Sequence, residues 1–554
     1  MKKLLPGLLV LLLVGSLRAL AQPSTWTFVQ PATDINAVMD VATDAAGNAY
    51  ITGRFTGSTQ VGTTTIASAR PGMCLFVAKL SPAGQVLRVT KLEGATDVIP
   101  YAIAADAAGN TFLTGAFFGT LTYNGGQQTT GRLPLPFEVG GYNILLVKCD
   151  PHGRVSWVRQ ADGGSSGTYG NSYGADVAVD QQGNSYISGR VNGPNVTFGT
   201  LAFGARRNQG FLASYNRQGQ LRWARVLQAS PIQTPGISES AAGGVALDNA
   251  GHCYISGTGV GGWELDGIAL SNLTGTLYLA RFDAGTGHLD WAQTTPGTGD
   301  GHALATDAQG DVYLGGRFAG TATFGPRMLT SAGSDDGFVA RYDPDGSLDW
   351  AVAIGGVNYD VVSALAVDAR TRSCYASGMM NFTSQGTNQS FLARLSPSGR
   401  MQQQVLVGGP GTSSGAGLAL DARANVYTTG VFTGSCLFGG IGLTSPFTES
   451  YLARYGSRPG GHGCGGDDDD DDNARADLFP NPAQHQFTLR HRGAAGASQA
   501  TLYNLQGRAV ATQPLPAAAA EVRFDTSALP AGLYTLRLLG PHGPGPAYSV
   551  QVQH

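Results

Sequence analysis

Charged side chains are scarce in this 554-residue chain, at 13% of the total, and lysine plus arginine (35) do not outnumber aspartate plus glutamate (38). A nucleic-acid interface needs a basic stripe or patch, so composition argues against that partner. Six of the negative charges are the run Asp467 to Asp472; without them the formal −3 becomes +3, spread thinly. Cysteine is also rare, with six residues. Cys74, Cys149, Cys253, Cys374 and Cys436 sit in separate apolar stretches and Cys464 in a glycine-rich one. That spacing gives neither a disulfide framework nor a zinc knuckle, and it reads as buried free thiols with no metal site. Beyond the first 20 residues no apolar run is long enough to cross a bilayer, so no span is expected in the mature chain.

Glycine is abundant (81 residues), and aromatics are retained at 9%. Many short strands joined by tight turns have this composition, whereas disorder would have depleted the aromatics. The first residues read as a signal peptide, residues 1–21. Lys2 and Lys3 precede an apolar stretch from Leu4 to Leu17, and Ala19-Leu20-Ala21 fits a cleavage site between Ala21 and Gln22. Export through the periplasm follows.

One pattern recurs: a short apolar stretch, Asp, two residues, Gly-Asn, an aromatic, then Ser/Thr and Gly. The clearest copies run Asp44 to Gly53, Asp106 to Gly115 and Asp180 to Gly189, with variants beginning at Asp248, Asp307, Asp368 and Asp421. Each is followed by Phe/Tyr-apolar-Ala-Lys/Arg and a polar turn with Gly, often with Trp four residues later, as at Trp157, Trp223, Trp291 and Trp350. Asn, Asp and Gly tolerate the positive φ of hairpin turns, so each copy reads as two linked hairpins. Four strands in a unit of roughly 50–75 residues form a propeller blade, which cannot bury its faces alone.

The expected fold is therefore all-β: a seven-bladed propeller over residues 22–456, followed by a small sandwich. The seventh copy stops at Tyr451-Leu-Ala-Arg-Tyr455 without a Trp strand, while Trp26-Thr-Phe-Val-Gln30 stands orphaned before the first. It resembles Trp350 to Ile354 and is expected to complete the last blade, removing an exposed edge. These repeats resemble the SBBP family of β-propeller repeat proteins over about residues 24–456. The resemblance implies seven blades and no defined activity.

Residues 457–476, rich in Gly and Asp, read as an extended linker. Residues 477–554 alternate apolar residues between Asn-Pro, Gln-Gly and Pro-Ala-Gly turns: Leu478 to Pro482, Ala500 to Val510, Phe524 to Leu538. This stretch resembles the type A C-terminal sorting domain of type IX secretion cargo. The resemblance implies the type IX machinery as partner and a secreted or outer-surface destination. The terminal Tyr548 to His554 lacks the Lys common in that family.

The repeated Asp is expected to open turns by accepting backbone N–H groups. Phe282 to Trp291 partly resembles a quinoprotein docking motif, but it occurs once and reads as a variant turn, so no cofactor is expected. A more distinctive set precedes the first strand of each copy: Asp97, Asp300 and Asp360, with Asn36, Ser172, Ser240 and Ser413 at similar offsets and Tyr101, Tyr173, His302 and Tyr359 nearby. First strands line a propeller's channel, so Asp97, Asp300, Asp360, His302, Tyr101 and Tyr359 are the candidate binding residues at its mouth. No Ser-His-Asp ordering, His-Glu-x-x-His or phosphate loop is present, and no catalytic residue is assigned. The expected function is a monomeric, non-enzymatic surface protein binding a glycan, a protein or matrix. The alternative is a polysaccharide hydrolase or lyase with its site at the mouth.

Overall fold

The computed structural model describes residues 25–552 apart from 33–37, 125, 130–140, 162–171, 194–195, 205–207, 230–238, 384–387, 457–475, 480–482, 484, 492–498, 505–507, 516–519, 531 and 541–542. The signal segment with Ala21 and Gln22, Asn36, the aspartate run and Cys464 lie outside the described residues. The chain divides into two compact units, one spanning Ser24–Pro459 and another containing Gly460–His554. Every regular element described is a β-strand.

In the large unit an antiparallel four-strand order recurs. The third copy is representative: Tyr173–Val179, Ser185–Val191, Gln209–Tyr215 and Leu221–Val226 pair in sequence. Some strands run on between copies. Val86–Ala105 is both the last strand of the first copy and the first strand of the second, so the sheet continues through both.

The Asp of each repeat has a local task. Asp44 Oδ1 accepts the N–H groups of Ala46 (3.0 Å) and Asn48 (2.9 Å), while Tyr50 Oη donates to Oδ2 at 2.9 Å. Asp180 and Asp421 each accept the N–H groups two and four residues on in the same way. These are Asx turns, in which a short carboxylate replaces the missing backbone partner.

Neighbouring copies are locked by the tryptophans. Trp157 Nε1 donates to Arg217 O (3.1 Å), Trp223 to Ala284 O (3.2 Å), Trp291 to Pro344 O (3.1 Å) and Trp350 to Pro397 O (2.8 Å). Each indole thus packs its ring against the turn of the following copy and satisfies its one donor there.

The two ends of the large unit meet. Thr25–Ala32 pairs antiparallel with Ile441–Gly456, from Thr25 opposite Gly456 to Ala32 opposite Ser450. The seventh and first copies also touch directly: Thr43 Oγ1 donates to Leu420 O (2.6 Å) and Tyr427 Oη to Gly47 O (3.0 Å). Tyr427 and Leu452 share a buried cluster with Val41, Ile51 and Phe76. The register corrects the alignment of Trp26 with Trp350. Arg341 lies opposite Trp350, but its counterpart Arg454 lies opposite Phe28, and Trp26 lies opposite Tyr455. Phe28 therefore holds the tryptophan place, with its ring against Gly84, while Trp26 meets Phe438 and Tyr455 edge-on at 5.2 and 5.3 Å. A slip of two residues keeps the same face inward, so the strand's apolar side is preserved.

The C-terminal unit comprises two antiparallel sheets, one with Ala476–Phe479, Gln486–His491 and Ala520–Asp525, the other with Ala509–Pro514, Gln499–Tyr503, Gly532–Gly540 and Gly543–Val552. Phe487, Leu489 and Phe524 of the first share a core with Leu502, Leu536 and Val550 of the second, which makes a sandwich. The five described cysteines are buried and free.

Candidate functional site

In the second to seventh copies the first strand carries a bulge at a matching place: between Pro100 and Ala102, Gly174 and Asp176, Ala242 and Gly244, Gly301 and Ala303, Val362 and Ala364, and Gly415 and Leu418. A bulge leaves one residue unpaired and re-aims its side chain. Tyr101 and His302 are the bulged residues of the second and fifth copies, so they occupy equivalent positions.

Around Tyr101 five further side chains gather. Arg54 donates to Asp97 Oδ1 at 2.9 Å and to Val98 O at 3.3 Å, and Tyr142 Oη donates to Asp97 Oδ2. The Tyr101 and Tyr173 rings lie 5.2 Å apart, and the Arg190 guanidinium stands over Tyr173 at 4.9 Å. Burial and then Tyr173 push the Tyr101 hydroxyl above its ordinary range, with Arg54 and Arg190 pulling the other way. Burial and the bond to Asp97 push Tyr142 up to about 12. Tyr101 itself is 36% exposed.

A second group forms in the fifth and sixth copies. Arg317 donates to both Asp300 and Asp335 and stands over the Tyr359 ring at 5.5 Å. His302 lies near enough for Asp300 and Arg317 to act on it, and burial holds its imidazole below the usual range, neutral at pH 7. Two arginines and one aspartate leave the Tyr101 group at +1. One arginine and two aspartates leave the Arg317 group at −1.

Of the six residues expected together, the structure joins Asp97 with Tyr101 and Asp300 with Tyr359 and His302. Asp360 stands apart. It is fully buried, and its two oxygens accept the N–H groups of Asn381 and Gly356, each at 2.7 Å. A buried carboxylate without such donors is expensive, and this one is spent on the backbone. Ser172, Ser240 and Ser413 do the same for the N–H groups of Asn192, Gly210 and Ser390.

Sequence reasoning passed over two features. Arg54, Arg190 and Arg317 each follow the closing Gly of their repeat, in the first, third and fifth copies. Asp40 and Asp176 sit four residues before the repeat Asp, where the other copies have only Ala or Gly. Asp40 Oδ2 accepts the Ile103 N–H (2.9 Å) and Asp176 Oδ2 the Val245 N–H (2.8 Å), each in the following copy. Burial pushes Asp40 up to about 6. Burial, joined by the charge of Asp40, pushes Asp176 up to about 7. Among the described residues no group of three or more His, Cys, Asp and Glu is arranged to hold a metal ion.

Residues 477–541 match the family of secretion-system C-terminal sorting domains. That domain implies export by the type IX secretion system to the cell surface or extracellular space, with its machinery as partner. An uncharacterised WD repeat-containing protein of Acanthamoeba polyphaga mimivirus is 26% identical over 164 residues, which is 27% of this chain. The chain spans only 11% of that relative's length. Similar solved structures include the Dos1 propeller (9% identity, 78% of this chain and 95% of that one, TM-score 0.33). A protein of unknown function from Dyadobacter fermentans is 10% identical over 66% of this chain and 95% of its own, with a TM-score of 0.35. A gluconolactonase from Xanthomonas campestris is 12% identical over 64% and 94%, with a TM-score of 0.27. Among the described residues no helix is long and apolar enough to cross a membrane.

Proposed function

We propose that residues 22–456 form a seven-bladed β-propeller closed by the N-terminal strand, and that it is exported to bind a ligand at the mouth of its channel. The seven sequence copies, the recurring four-strand order and the pairing of Thr25–Ala32 with Ile441–Gly456 support the ring. The observation that carries the binding role is the Tyr101 group. It draws Arg54, Tyr101 with Asp97, and Tyr173 with Arg190 from three consecutive copies to one end of the first strands, with an aromatic ring left partly exposed. Exposed aromatics and charges converging from several repeats are the makings of a recognition surface.

Hydrolysis gains no support from the expected carboxylates. Asp97 and Asp300 are paired with arginines and Asp360 is given to backbone N–H groups, so none of the three is poised as acid or base. A glycan array probed with the mature chain, with Tyr101→Ala beside it, tests the binding role. Loss of signal in the variant supports it; an unchanged pattern places binding elsewhere. Export is tested by removing residues 477–554. The truncated chain should remain in the periplasm, and continued surface display would refute the sorting role of that segment.

A further inference from the structure

Three arginines occupy matching positions after the closing Gly of the first, third and fifth copies, and they are not equivalent. Arg54 has Asp97, and Arg317 has both Asp300 and Asp335. Arg190 has no carboxylate among the described residues. Its guanidinium lies over the Tyr173 ring at 4.9 Å, and its Nε, shielded from solvent, has no hydrogen-bond partner. With Nε closed to solvent, the two Nη groups are the edge this guanidinium offers, and that edge is shaped to hold a carboxylate in two parallel bonds.

Beside this unspent cation lies a platform. Tyr101 and Tyr173 have their rings 5.2 Å apart and inclined at 41°, and Tyr101 is 36% exposed. Tyrosine faces offer apolar area with a polar rim, which suits the C–H face and hydroxyl edge of a pyranose. Asp97 beyond Tyr101 is an acceptor for hydroxyl groups, and the group as a whole keeps a charge of +1. A polyphosphate chain would meet too few cations for a salt-dependent grip.

We infer that this corner binds a carboxylated saccharide, with a sugar ring on Tyr101 and the sugar's carboxylate on Arg190. The inference rests on the mouth being the binding surface and adds the chemical class of the ligand.

The test is isothermal titration calorimetry of the mature full-length chain with an oligogalacturonate, its methyl ester, a neutral gluco-oligosaccharide and a short polyglutamate. The acid should bind about 10-fold or more tightly than the ester, because a hydrogen bond to a charged group is lost in the ester. Arg190→Gln should abolish that preference and Arg190→Lys restore part of it, each with an unchanged melting transition. Should Arg190→Gln not fold, the acid-against-ester comparison on the native chain decides. Equal binding of acid and ester, with both lost in Tyr101→Ala, overturns the carboxylate assignment and leaves the mouth reading standing. Sugar binding that neither variant changes overturns both. Polyglutamate binding as tightly as the acid sugar, or no sugar binding at all, overturns the saccharide assignment.

Discussion

Asp40 and Asp176 are carboxylates placed where the other copies have alanine or glycine, and each is tied to a backbone N–H of the next copy. Burial raises them from an ordinary 3.8 to about 6 and about 7. At these two positions the folded chain holds more protons than the unfolded one between roughly pH 4 and pH 7, so their contribution to stability falls as pH rises through that window. Asn keeps the acceptor for the Ile103 or Val245 N–H and removes the charge, while its amide group no longer serves the N–H of Val41 or Val177. The double variant Asp40→Asn, Asp176→Asn should gain stability relative to the native chain, by a few kcal/mol at most, as pH rises from 4 to 8. Urea unfolding of both chains at the two pH values checks this; a variant that gains nothing on the native chain between pH 4 and pH 8 would contradict it.

The distance of these residues from the repeat Asp sorts them by role. Ser172, Ser240, Asp360 and Ser413 stand eight residues before the repeat Asp, and all four cap backbone N–H groups. Asp97 stands nine before and Asp300 seven before, and both meet arginines instead. In a strand one residue turns a side chain to the other face, so residues at similar offsets from the repeat Asp form two populations. Tyr101 and His302 were legible as neighbours of that region, but not as bulged residues, because the bulge depends on pairing with the next strand. Arg190 was illegible for a similar reason: what distinguishes it from Arg54 and Arg317 is that the fold brings it no carboxylate among the described residues.

At the scale of elements the turns carry the information. Asp-x-x-Gly-Asn gave the hairpins because Asx turns and positive φ are local properties. The tryptophan strands were legible from their spacing to the preceding glycine, but the reason for that glycine lies in the neighbouring copy. Gly287 has φ +70°, and a Cβ there would stand 2.5 Å from the Trp223 ring. The segment with a partial look of a cofactor-docking motif is thus a turn shaped to receive an indole. Gly287→Ala should cost roughly 1–3 kcal/mol from backbone strain and displacement of Trp223. Equilibrium denaturation with tryptophan fluorescence reads both, and an unchanged midpoint and spectrum would remove the argument. The first strand shows the complementary limit. Its apolar alternation identified it as a strand, yet Trp26 drew the alignment two residues off, and only the partner Ile441–Gly456 reveals that Phe28 takes the indole's place.

For the whole molecule, the two units are read in different ways. The C-terminal sandwich was legible from its turns and its family likeness, and it sets the chain's destination. The repeat unit was legible from internal repetition, whereas the Tyr101 group was not, since it depends on side chains from three copies meeting at one end. Everything proposed for the mouth requires the repeats to close, because an open array would expose the free edge of Ile441–Gly456 and would not hold the seventh copy against the first. The most direct measurement is the thermal unfolding of the mature chain with and without residues 22–32. The account predicts a markedly lower and broader transition for the truncated chain, through loss of the strand that pairs with Ile441–Gly456 and covers Tyr427 and Tyr455. The same melting temperature in both chains would contradict it.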